Sequence, residues 1–110
     1  MKVEQKGHTT TIKDTKSSFE AFLEKLTSQY NSYKSVNLII DITHDKSFEI
    51  SNLKQFLDLA TTHKKNKKSF VIVVEDIDFN KAPNSINTVP SLLEAHDIIE
   101  MEEIERDLGF

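Results

Sequence analysis

Two groups of carboxylates follow two apolar runs. Asp41 lies at the end of the run at 36–42 and Asp45 and Glu49 follow it, and Glu75, Asp76 and Asp78 come after the run at 70–74. If those runs are neighbouring parallel strands, their carboxyl ends line the crevice in which open α/β sheets bind ligands. Carboxylates converging there could hold Mg²⁺ for phosphoryl transfer or metal-dependent nuclease chemistry, with Asp41, Asp76 and Asp78 as the candidate ligands. The plain alternative makes Asp41 a strand-ending residue and the others solvated loop. A glycine loop that could cradle phosphate is not available, because the only glycines are Gly7 and Gly109. No cofactor is expected.

The remaining chemistry-bearing types do not form a constellation. His8, His44, His63 and His96 are scattered, without His-x-His or His-Glu-x-x-His spacing. A ribonuclease Z-type nuclease would need a His-x-His-x-Asp-His motif on a much longer metallo-β-lactamase fold, and nothing here matches it. Ser17, Ser51 and Ser91 each precede a helical pattern and read as helix caps rather than nucleophiles. The run from His63 to Lys68 could touch RNA, as in an accessory subunit of an RNA-processing enzyme. It carries no interleaved aromatics, so a solvated helix end is the simpler account. With no cysteine, disulfides and thiolate metal sites are excluded.

The elements that would position these residues follow from periodicity. Residues 36–43 and 69–75 are short, near-continuous apolar runs, the pattern of strands buried on both faces. Between them, Leu53, Phe56, Leu57 and Ala60 mark a helix over 52–65, with Ser51 as N-cap and Asn66 as the left-handed residue that stops it. This is a βαβ unit. Before it, residues 2–14 read as a weak hairpin at the edge or outside of the sheet. A helix over 17–33 has Ser17 and Glu20 as a capping box and Phe19, Phe22, Leu23, Leu26, Tyr30 and Tyr33 on one face. After it, Thr88 and Val89 suggest a short extra strand. A helix over 91–108 has a Ser91/Glu94 capping box and a bend, or a break into two short helices, near Glu100. Gly109 ends that helix, and Phe110 would fold back on its last turn. The expectation is a single α/β domain over 1–110, with a mixed sheet of about four strands backed by helices.

Two segments carry a resemblance. Residues 36–43 read Val-Asn-Leu-Ile-Ile-Asp-Ile-Thr, and residues 48–53 read Phe-Glu-Ile-Ser-Asn-Leu. The first is similar to an aliphatic strand ending in Asp-Leu-Ser. The second falls, without a gap, where an apolar residue and Asp-Ser-Ser-Gly-Leu would follow. Together with the order of elements, these segments resemble the STAS domain (sulfate transporter and anti-sigma factor antagonist) family. The resemblance implies a non-enzymatic, regulatory protein-interaction module that binds through the 44–53 loop and the start of the next helix. It places partner contacts at Glu49, Ile50, Ser51 and Asn52. Where the family has its phosphorylated first serine, this chain has Ile50. Glu49 replaces the Asp and Asn52 the Gly, so Ser51 is the one possible phosphosite and the usual phosphoserine switch is not implied.

Bulk properties set the partners. The chain has 110 residues, 37% hydrophobic and 29% charged, and a net charge of −4. An acidic protein has no general attraction for nucleic acid or anionic membrane. No apolar leader or membrane-length run is present, so a soluble, cytoplasmic protein is expected, and the resemblance implies a protein partner for it. Residues 91–108 hold seven acidic side chains against Arg106. This acidic amphipathic helix is a candidate surface for a basic partner, or for a homodimer contact with the Lys64–Lys68 run of a second copy.

Overall fold

Asn37–Asp41 (β3) and Phe70–Val73 (β4) lie side by side and parallel, and every residue in both is buried. Continuous apolar sequence accompanies burial on both faces. Leu38, Ile40, Phe70 and Ile72 pack into the core on one side of the sheet, and Ile39, Val71 and Val73 into the core on the other. The computed structural model, which describes residues 1–16 and 18–109, shows a five-stranded mixed sheet in the order β1-β2-β3-β4-β5. Lys2–Lys6 (β1) is antiparallel to Thr9–Lys13 (β2). β2 then runs parallel to β3, placing Ile12 beside Ile40, and Asn87–Val89 (β5) runs parallel to β4. The α-helices are Phe19–Gln29 (α1), Leu57–Lys65 (α2) and Leu92–Asp107 (α3).

Strands β2 to β5 follow one another across the sheet in chain order, so each parallel connection steps the same way. Connections of one hand must then all cover the same face. That face receives Phe19, Phe22 and Leu26 from α1, and Leu53, Phe56 and Ala60 from the second connection. The link from β4 to β5 adds Ile86, with Ile77 and Phe79 partly buried. Among the described residues, α3 alone covers the other face, with Ala95 and Ile99. The α/β class is as the sequence implied, and the βαβ unit holds the centre.

Several local expectations are corrected. The sheet has five strands, the four expected and the suggested extra strand at Thr88 and Val89, which forms as β5. The N-terminal hairpin turns at Gly7, whose φ of +59° suits glycine. Its outer strand β1 is exposed throughout, but β2 is interior and Ile12 is fully buried. The first helix is α1 followed by a 3₁₀ turn at Tyr30–Ser32, and Ser18 occupies its N-cap position. The Ser17 cap and the Phe110 fold-back lie outside the described residues. The left-handed residue after α2 is Lys67 (φ 61°), while Asn66 stays at φ −78°. α3 is continuous through Glu100, without the expected bend. Ser91 does cap α3, its Oγ accepting from the Glu94 N–H at 3.2 Å.

The amino ends of β3 and β4 are tied to α3 by polar side chains. Buried Asn37 accepts at Oδ1 from the Ser69 N–H (2.9 Å) and from Arg106 Nη2 (3.3 Å), and donates through Nδ2 to Glu103 (3.1 Å). Arg106 also donates to Ser69 Oγ at 3.1 Å. Removing the amide leaves a buried backbone N–H and part of a guanidinium without acceptors. Asn37→Ala is therefore expected to cost about 1–3 kcal/mol, read as a lower urea midpoint at unchanged slope.

Candidate functional site

The segment from 44 to 56 leaves the carboxyl end of β3 and is built by short-range hydrogen bonds. Asp41 Oδ1 accepts from the Thr43 N–H (3.0 Å) and hydroxyl (2.7 Å). Asp45 Oδ1 accepts from the Ser47 N–H (2.9 Å) and hydroxyl (2.6 Å). Asp and Asn side chains turn the chain in this way by mimicking a backbone acceptor two residues back. Between these turns and the helix, Phe48 is driven into the core, its ring edge-on to Phe19 with centroids 5.1 Å apart.

The helix that follows begins as a seven-residue 3₁₀ helix, Ile50–Phe56, before becoming α2. Its N-cap is Glu49, not the expected Ser51. Asn52 Oδ1 accepts from the Glu49 N–H at 2.8 Å, and the Asn52 N–H donates in return to the Glu49 backbone carbonyl at 2.9 Å. The 3₁₀ geometry has a side-chain cause. Ile50, Leu53 and Phe56 recur every three residues, which places them on one side at three residues per turn. Leu53 and Phe56 are fully buried, and Ile50 packs against the same core. Glu49, Ser51, Lys54 and Gln55 are left exposed.

The four residues expected at a partner contact thus divide. Glu49 and Ser51 are displayed. Ile50 is turned toward the core and Asn52 holds the cap, so neither is a free contact. The candidate metal ligands do not meet in a site. Asp41 is buried and engaged with Thr43, Asp76 is exposed at a left-handed φ of 58°, and exposed Asp78 caps the turn at Asn80 (3.0 Å). Among the described residues, no group of three or more His, Asp or Glu side chains stands close enough to hold a metal ion.

Sequence reading passed over Asp14 here, and counted Asp45 among the loop carboxylates without placing it in the interior. Asp14, at the end of β2, donates its N–H to the Asp41 carbonyl at 2.9 Å. Asp45 is 4% exposed, and its Oδ2 has no hydrogen-bond partner. This carboxylate lines a notch of about 40 Å³ together with Lys46, Glu75 and Asp76. Polar types inside an apolar pattern give a weak signal, and their burial depends on residues distant in the chain.

The basic run sits at the opposite end of the sheet. His63 is not part of it, because the ring is fully buried. Its place on the core side was legible, since Phe56, Ala60 and His63 follow at four- and three-residue steps. Lys64, Lys67 and Lys68 line a cleft of about 570 Å³ whose other side carries Glu102, Glu105 and Arg106. Carboxylates facing the lysines make this a wall of mixed sign rather than a cationic groove for RNA. No helix among the described residues is long and apolar enough to cross a membrane. No protein-family model matches this sequence, and comparison with curated proteins finds no significant relative.

Proposed function

We propose that this chain is a non-enzymatic, cytoplasmic, STAS-like regulatory module that docks a protein partner through the 44–53 loop and the helix that follows. The observation that carries the reading is the preorganised display of Glu49, Ser51, Lys54 and Gln55. Asp41 and Asp45 fix the approach to it, the Glu49–Asn52 pair fixes its start, and Leu53 and Phe56 pin its inner side. A rigid surface loses little conformational entropy on binding, which favours affinity for a given contact area. Ser51 supplies an exposed hydroxyl, and phosphate there would add negative charge next to Glu49.

The test compares affinity capture from the native cell by the natural chain and by Ser51→Arg/Gln55→Arg. Both positions are exposed, so stability should change by no more than about 0.5 kcal/mol. Asn52 is left intact because it holds the cap. The expected result is a partner bound by the natural chain and lost, by about tenfold or more, in the variant. A partner set identical for both chains would overturn the docking surface.

A further inference from the structure

α3 has two apolar sides, and the fold uses one. Ala95 and Ile99 are buried against β3, β4 and β5. Leu93, Met101, Ile104 and Leu108 are 73%, 61%, 53% and 67% exposed. At 3.6 residues per turn these four fall within roughly 80° of one another, on the side opposite Ala95 and Ile99. Of the six large hydrophobic side chains exposed among the described residues, five belong to α3 and its C-cap. The stripe is about 22 Å long at 1.5 Å per residue, enough for a partner helix of about four turns.

The charges around the stripe are of one sign. Glu94, Asp97, Glu100, Glu105 and Asp107 are exposed. Arg106, the sole Lys or Arg of the helix, is drawn inward to Ser69 and Asn37. Glu102 and Glu103 are half-buried and accept from Asn87 and Asn37, so they are not part of the outer rim. The outer side of α3 is therefore an apolar stripe crossed by Asp97, one turn after Leu93 and one before Met101, with Glu94 and Glu105 along one border and Glu100 and Asp107 along the other.

We infer that the outer face of α3 is a docking surface for a basic amphipathic helix of another protein, with apolar anchors on the Leu93–Met101–Ile104–Leu108 stripe and Lys or Arg against the flanking carboxylates. Helices dock in this mode through anchors at i, i+3, i+4 and i+7, and complementary charge sets specificity and encounter rate. A second copy fits worse. Two α3 helices face to face would set carboxylates against carboxylates. The Lys64–Lys68 run of another copy has the right charge but no apolar side chain to cover the stripe. An anionic lipid surface would meet the same acidic border. The proposal is independent of the 44–53 docking site, which lies beyond the carboxyl end of the sheet, with its inner side packed into the other core.

The probe is a synthetic helical peptide with leucines at i, i+3, i+4, i+7 spacing and lysines elsewhere, paired with its counterpart bearing glutamates for lysines. NMR titration of the full chain should show saturable shifts at the outer positions of α3 with the lysine peptide and none with the glutamate peptide. Met101→Ser/Ile104→Ser, two exposed positions, should weaken binding by about tenfold or more and leave the unfolding midpoint in place. Absence of binding, shifts centred on the 570 Å³ cleft or the 44–53 loop, or equal binding by the variant would each overturn the proposal. So would a dimer in sedimentation velocity that the same two substitutions dissolve, which would make a second copy the occupant.

Discussion

Phe56→Ala is expected to destabilise this domain by roughly 3–5 kcal/mol, the usual cost of emptying a large aromatic site in a core. Phe56 is fully buried at the point where the 3₁₀ helix becomes α2. Its ring meets Phe19 edge-on with centroids 5.5 Å apart and Phe70 at 6.3 Å, linking α1, the second connection and β4. Three elements lose contact at once. Against a total of about 5–15 kcal/mol for a domain, this loss leaves little margin. Urea unfolding checks it: a midpoint within error of the natural chain would show that Phe56 is not central to the core. Leu93→Ala is the matched control, since an exposed side chain is expected to change stability by no more than about 0.5 kcal/mol.

The second large effect concerns pH. His63 Nε2 lies 2.7 Å from the Val36 carbonyl, which can only accept, so Nε2 carries the proton. Nδ1, 2.6 Å from the Tyr30 hydroxyl, then accepts from it, and Asn66 Nδ2 donates to that same hydroxyl at 3.4 Å. Burial holds the His63 pKa below its ordinary value, the Val36 carbonyl opposes that shift, and the Lys68 and Arg106 charges add to it. Burial likewise raises the Tyr30 pKa, which the Asn66 bond partly offsets. Since the folded pKa of His63 is depressed, the unfolded chain binds more protons below pH of about 6.5. The contribution of this neutral histidine is fully present above that pH. It is lost as pH falls from there toward the folded pKa, by at most about 1.4 kcal/mol per pH unit. His63→Gln keeps a donor and an acceptor but does not titrate. Unfolding at pH values on either side of the window should show a steeper acid loss for the natural chain than for His63→Gln. Parallel losses in the two proteins would remove His63 as the source.

The parts of the fold read correctly from sequence are those with a strong period. β3 and β4 are unbroken aliphatic runs, and α1 repeats Phe19, Phe22 and Leu26 at helical spacing, all three buried. The junction at Ile50–Phe56 was misread because Leu53, Phe56 and Ala60 satisfy an α-helical pattern. Only the added Ile50 reveals the three-residue step. For α3, periodicity collects the apolar residues but does not say which are buried. With apolar residues on opposite sides, the helix looks uniformly core-facing. The Asn37–Arg106 bond joins residues 69 positions apart, and no local pattern announces such a contact. At the candidate site, the location after β3 was legible. The division of labour inside it was not, because it depends on whether Glu49 or Ser51 reaches the helix end first.

The two borders of the sheet also limit how this protein can associate. An open strand invites another chain to add beside it, and native proteins discourage this with charge, shortness and proline. Along β1, Lys2, Glu4 and Lys6 alternate with Val3 and Gln5 and are all exposed. β5 is only three residues long and is followed at once by Pro90. A fibril or a strand-swapped pair would have to begin on one of these borders, against charge on one side and a template too short to hold register on the other. Resistance to self-templated aggregation is thus built into the same sheet whose outer helix carries an exposed apolar stripe.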